Sequence, residues 1–139
     1  MLQLHRFVLL SEKAYRGDGV WEEDLRDIER HYFSKRGLFL IGELDGKIVA
    51  MGAIRNIGPD AAEVVRMRVH PDHQGKGYGQ RMLSELELRA RDMDYKELIL
   101  ETDAQLTKAK KLYEKNRFAF WKEEVVDDYK CVWYRKALP

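Results

Sequence analysis

Three glycines alternate with larger residues in Gln74-Gly75-Lys76-Gly77-Tyr78-Gly79. An apolar, strand-like segment ending Val69-His70-Pro71 comes before this run. After it, Met82, Leu83, Leu86, Ala90 and Met93 recur at the helical period. Closely spaced glycines let the backbone approach a ligand and turn several N–H groups the same way. The front of the following helix adds amides without intrahelical acceptors and the positive end of its dipole. A phosphate or diphosphate suits such a place, and Lys76 brings a mobile positive charge. An exposed helix dipole contributes only about 0.3–1 kcal/mol per charge, so direct hydrogen bonds have to supply most of the affinity.

Two phosphate-binding patterns do not fit. A P-loop needs two glycines five apart followed by Lys and Ser or Thr. A dinucleotide fingerprint needs G-x-G-x-x-G opening a βαβ unit near the chain start. Here the spacing is G-x-G-x-G, in mid-chain, after what read as antiparallel hairpins. A plain packing turn is the remaining alternative, but it needs neither three glycines nor a Gln beside a helix start.

The elements that must position this loop are readable from periodicity. Asp18 is placed to cap a helix through Trp21, Leu25, Ile28 and Tyr32. Leu38 to Leu44 and Ile48 to Arg55 read as strands joined at Asp45-Gly46, a pair that tolerates the positive φ of a tight hairpin. Gly58-Pro59-Asp60 marks a turn before a strand over Ala62 to His70. A helix over Gly79 to Met93, a strand over Glu97 to Thr102 and a helix over Gln105 to Lys115 follow. A closing hairpin, Phe118 to Val126 and Tyr129 to Leu138, turns at Asp127-Asp128. Residues 2–10 fit neither period. Helix, three strands, helix, strand, helix and two strands make a mixed α/β (α+β) sheet rather than a doubly wound one.

The 139 residues suit one domain, 1–139, with a core that needs no staples. A net charge of +1 argues against nucleic acid as partner, and no apolar run has the length of a membrane span. Cys131 is the only cysteine, which excludes an internal disulfide and fits a cytoplasmic location. No ligand spacing suggests a metal.

Gln74, Gly77 and Gly79, with Val69-His70-Pro71 before them, and Ala109, Leu112, Tyr113 and Phe118 further on, resemble the GNAT acetyltransferase superfamily. In that superfamily Gln or Arg, two residues, Gly, one residue and Gly or Ala follow a Val-x-Pro strand end. An Ala-x-x-Leu-Tyr helix leads to Gly-Phe. The resemblance runs over residues 36 to 138. It implies a twisted, mostly antiparallel sheet in which the strands over 62–70 and 97–102 run parallel and splay into a cleft. Acetyl-CoA, as co-substrate, would enter there. Its pantetheine would pair along Met67 to Val69 and its pyrophosphate would sit on the amides of Gln74, Gly75, Lys76, Gly77, Tyr78 and Gly79. Three departures stand out. Leu106 replaces the Asn or Gln frequent three residues before Ala109. Arg117 replaces the glycine before Phe118, which leaves the left-handed helix cap to Asn116. The family's opening strand and helix are not recognisable before Tyr15.

Acyl transfer to an amine needs a base for the ammonium proton, an acid for the thiolate and a donor for the oxyanion. The resemblance assigns the acid to Tyr113 and the donor to the Val69 amide, while Tyr113 also fits a core tyrosine. Glu63, six residues before Val69, is the candidate base. Strict alternation places it on the face of Val65, Met67 and Val69, a phase that a β-bulge would shift. Arg66 and Arg68 then lie on the opposite face, in reach of Glu101. The expected reaction is transfer from acetyl-CoA to a primary amine of a small molecule or peptide by direct attack in a ternary complex. A catalytically silent acyl-CoA sensor is the alternative, and a homodimer is compatible with either.

Overall fold

A computed structural model describes residues 3–6 and 35–139 of the chain. Among the described residues seven strands form one sheet in the order β1-β2-β3-β4-β5-β7-β6. They are β1 (Gln3–Arg6), β2 (Leu38–Leu44), β3 (Lys47–Asn56), β4 (Ala61–Val69), β5 (Glu97–Asp103), β6 (Ala119–Val126) and β7 (Tyr129–Ala137). Two helices, α1 (Tyr78–Asp92) and α2 (Thr107–Lys115), connect the later strands. All neighbouring strands are antiparallel except β4 and β5. The mixed sheet is therefore the expected one, with β1 as an additional strand at one edge. The helix expected over residues 18–32 lies outside the described residues. Among the described residues no helix is long and apolar enough to cross a membrane.

The β2–β3 turn is built as its residues dictate, with Asp45 at φ 51° and Gly46 at φ 77°. At the β6–β7 turn Asp127 and Asp128 both take positive φ, tolerated because short polar side chains soften the left-handed conformation. The apolar stripe of α1, Met82, Leu83, Leu86 and Ala90, is buried against Leu40, Ala50, Ile54, Val64, Leu98 and Leu100. Arg36 closes the far end: Nη2 donates to Met93 O (2.9 Å), Nη1 to Pro59 O (3.1 Å), and the guanidinium lies over Tyr95.

One irregularity shapes β4. The β3–β4 register shifts between Met51 and Ala53, so Gly52 faces two residues, Arg66 and Met67. Arg66 takes φ 57°, the left-handed conformation of a bulge residue. Side chains before the bulge and after it therefore swap faces. Glu63, across from Arg55, lies on the face opposite α1, whereas Val69, across from Ala50, faces α1. Strict alternation, which groups Glu63 with Met67 and Val69, does not hold.

Gly52 leaves room for this arrangement. A Cβ there would meet Leu86 Cδ1 at 2.8 Å, Met82 Cγ at 2.9 Å and Met67 Sδ at 3.1 Å. Gly52→Val is expected to destabilise the fold by about 1–3 kcal/mol or more through overpacking. A lower urea midpoint with unchanged m-value checks this.

Candidate functional site

The parallel pairing of β4 and β5 stops early. It covers Ala61, Ala62 and Glu63 against Glu97, Leu98 and Ile99, although β4 runs on to Val69 and β5 to Asp103. Beyond Glu63 the two strands part, as expected of the cleft. His70 N–H donates to Val49 O on β3 at 2.8 Å. Because successive amides of a strand point to opposite sides, the Val69 and Met67 amides are turned to the cleft side. Val69 and Met67 thus offer backbone donors on an edge that, among the described residues, no strand covers beyond Glu63.

The glycine loop follows a single 3-10 turn, Pro71–His73. Gln74 is tied back to its own chain: Nε2 donates to Val69 O at 3.2 Å and the backbone N–H to Pro71 O at 3.5 Å. His73 stacks on Tyr78 at 6.3 Å between centroids, joining the loop's entry to the first residue of α1. Gly75 and Gly77 take φ 77° and 83°, and a Cβ at either would meet nothing within 4 Å. Gly77 is the N-cap of α1; it supplies no capping side chain, and the first turn contains no acidic residue. The leading amides of α1 are thus left for an external anion, in a sequence that avoids the usual internal ones. Lys76 is exposed beside them.

Tyr113 ends the buried side of α2. It is 8% exposed, with its ring 6.0 Å from Tyr134 and 6.1 Å from Phe118. Burial raises its pKa above the ordinary tyrosine value, so the hydroxyl stays protonated and able to donate. Gly79 links the neighbourhood: its Cβ position lies 3.7 Å from Val69 Cγ2 and 3.8 Å from Leu112 Cδ2. The end of β4, the first turn of α1 and the last turns of α2 meet there. The left-handed position after α2 belongs to Arg117 (φ 68°), not Asn116 (φ −91°). Asn116 instead spends its side-chain amide on Leu112 O (2.7 Å) and Gln80.

On the face opposite α1, Glu63 is buried and ion-paired with Arg55. Ile99 pairs with Glu63, so Glu101, two residues on along β5, comes to the same face just past the last β4–β5 rung. Burial raises the pKa of Glu101, and the negative charges of Glu63 and Glu124 raise it further, with Arg55 acting against them. Arg55 is thus a cationic partner for these carboxylates that the sequence reading missed. Trp121 and Trp133 meet edge to face at 6.2 Å on this side, with Lys122 Nζ over both rings. Cys131 lies opposite Asp103; burial and the nearby carboxylates Glu101, Asp103 and Glu124 push its thiol pKa up, the reverse of what a nucleophile needs. Glu101 itself is signalled in the sequence: it interrupts the apolar run of a central strand. Among the described residues no group of His, Cys, Asp and Glu is arranged to hold a metal.

The chain is similar to known proteins in sequence and in fold. Residues 5–118 match the model of the acetyltransferase (GNAT) family. N-acetyltransferase 8 of Homo sapiens is 30% identical over 118 residues, covering 81% of this chain and 50% of that protein. N-acetylaspartate synthetase of Xenopus tropicalis is 33% identical over 93 residues, 66% of this chain and 34% of that protein. The chain spans about half the length of the first relative and a third of the second. The crystal structure of an acetyltransferase from Streptococcus agalactiae superposes with a TM-score of 0.83 at 17% identity, covering 99% and 98% of the two chains. A GNAT family acetyltransferase from Elizabethkingia anophelis with acetyl-CoA bound gives 0.72 at 14% identity, also covering 99% and 98%. At these identities the structures speak for the fold alone.

Proposed function

The chain belongs to the GNAT acetyltransferase family, and from that premise we propose that it transfers the acetyl group of acetyl-CoA to a primary amine by direct attack in a ternary complex. The observation that carries this reading is the open cleft beyond Glu63 leading to an uncapped helix front at Gly77. The amides of residues 75–79 would hold the diphosphate, and Met67 and Val69 would pair with the pantetheine arm as an added strand. The Val69 amide is turned toward the cleft, where it can donate to the thioester oxygen as negative charge gathers on it. Tyr113, on the α1 side, hands its proton to the departing thiolate. A carboxylate on the opposite face, Glu101 or Glu63, takes the proton of the attacking ammonium. The carboxylates on that face favour a cationic acceptor. Acetyl-CoA is the ligand of the similarly folded GNAT family acetyltransferase from Elizabethkingia anophelis, and membership of that family is the ground for proposing it as co-substrate here.

Acetyl-CoA is expected to raise the melting temperature where ATP and NAD do not. An amine panel of polyamines, aminoglycosides, amino acids and peptides should then release CoA thiol from it. A larger shift with ATP or NAD would remove the assignment. Gly77→Asp supplies a sharper check, because it places a carboxylate where the diphosphate would lie. A like charge at roughly 6 Å with an effective dielectric near 20 costs about 2–3 kcal/mol. Acetyl-CoA affinity is therefore expected to fall about 30–150-fold. Isothermal titration reads the loss, and unchanged affinity would place the cofactor elsewhere.

A further inference from the structure

Where the front of α1 meets the end of α2, two side-chain amides hold each other. Gln80 Nε2 donates to Asn116 Oδ1 at 2.8 Å, and Asn116 Nδ2 donates back to Gln80 Oε1 at 2.8 Å. Each is also anchored to its own helix. Gln80 Nε2 reaches Ser84 Oγ at 2.9 Å, and Asn116 Nδ2 reaches Leu112 O at 2.7 Å. A third support comes from β7, where Lys136 Nζ donates to Asn116 O at 2.8 Å and to Glu87 of α1 at 2.6 Å.

The position of this pair matters more than its strength. Gln80 is three residues beyond the N-cap Gly77, so it belongs to the turn that carries the cradle. Asn116 is three residues beyond Tyr113, and its backbone N–H bonds both Leu112 O and Tyr113 O at 3.1 Å. A reciprocal amide pair resists sliding and rotation together, where a single bond would act as a pivot. The helix it restrains has nine residues and no side-chain cap at its front. A helix that short does not hold its geometry unaided.

We propose that the Gln80–Asn116 pair is a positioning device that sets the Tyr113 hydroxyl against the diphosphate cradle. The inference rests on the reading of Tyr113 as the proton donor. Gln80 and Asn116 touch no reacting atom; they act through the last turn of α2. A displacement of roughly 1 Å at a reacting group can lower turnover by up to about 10²-fold.

The test uses Gln80→Ala and Asn116→Ala, each alone and each combined with Tyr113→Phe. Steady-state rates are read with acetyl-CoA and the panel amine that releases CoA thiol fastest. Gln80→Ala removes the bridge while leaving the Asn116–Leu112 bond of the α2 cap in place. Each single variant is expected to lose about tenfold or more in kcat with acetyl-CoA KM within about twofold of the parent. In the Tyr113→Phe background neither is expected to cause a further loss. Equal losses in both backgrounds would overturn the proposal, as would parental turnover in Gln80→Ala. Tyr113→Phe measured alone tests the underlying reading separately. If it turns over like the parent, the proton-donor assignment fails, and the positioning role fails with it.

Discussion

Tyr113→Phe is expected to lower kcat by about 10²–10⁴-fold while acetyl-CoA binds as before, because the substitution removes one hydroxyl and keeps the ring. The ring packs against Phe118 and Tyr134, so the apolar contacts of Tyr113 survive in the variant. Only the donor is lost. A departing thiolate then has to take its proton from another donor. The pH dependence carries the same information. Burial holds the Tyr113 pKa above its ordinary value of 10.0. If Tyr113 is the proton donor, its protonated form persists as pH rises, and the alkaline fall in kcat is expected above the usual tyrosine range. In Tyr113→Phe that alkaline limb disappears. Measuring kcat and acetyl-CoA affinity side by side also separates an enzyme from a silent acyl-CoA sensor. A sensor keeps both affinity and its absence of turnover when the hydroxyl goes. An enzyme keeps the affinity and loses the rate.

The parts of this site that were readable in advance are those where one residue type answers to local backbone. Gly75 and Gly77 sit at positive φ, and Gly77 leaves a helix front without a cap, so their types alone mark the loop. Leu112 and Tyr113 follow a helical period that any amphipathic reading finds. Pairwise features behaved differently. The β4 bulge depends on Gly52 of the neighbouring strand, and its pivot is Arg66, a residue whose type gives no hint of a left-handed backbone. Alternation consequently put Glu63 on the wrong face relative to Val69. Arg117 repeats the lesson at the end of α2. There Asn116 looked the better left-handed residue, yet its amide had a stronger use in bridging to Gln80, 36 positions away. Nothing in the sequence joins Gln80 to Asn116 until the fold brings them together.

The base assignment turns on the same bulge. With Glu63 and Glu101 on the face away from α1, both carboxylates stand on the side from which an acceptor would approach. Arg55 already engages Glu63. Glu101 lies past the last β4–β5 rung, and its pKa is raised first by burial, then by the charges of Glu63 and Glu124. A raised pKa suits a carboxylate to accepting a proton, and on that ground, with its place just past the last rung, we propose Glu101 as the base. Glu101→Gln is expected to lower kcat/KM by about 10²–10⁴-fold and to abolish its acid limb. In the parent that limb is expected above the ordinary carboxylate value of 4.5. Glu63→Gln removes a negative neighbour, so it is expected to move the limb down toward that value without erasing it. If the limb vanishes in Glu63→Gln and survives in Glu101→Gln, the base is Glu63. Stability gives an independent sign. A carboxyl whose folded pKa is raised favours folding below its unfolded value, and that contribution is lost as pH rises through the folded one. Glu101→Gln is therefore expected to unfold at higher temperature than the parent at neutral pH, with the gain fading as pH drops below the ordinary carboxylate range. An enzyme that loses rate and gains stability from one substitution has its charge placed for reaction rather than for folding.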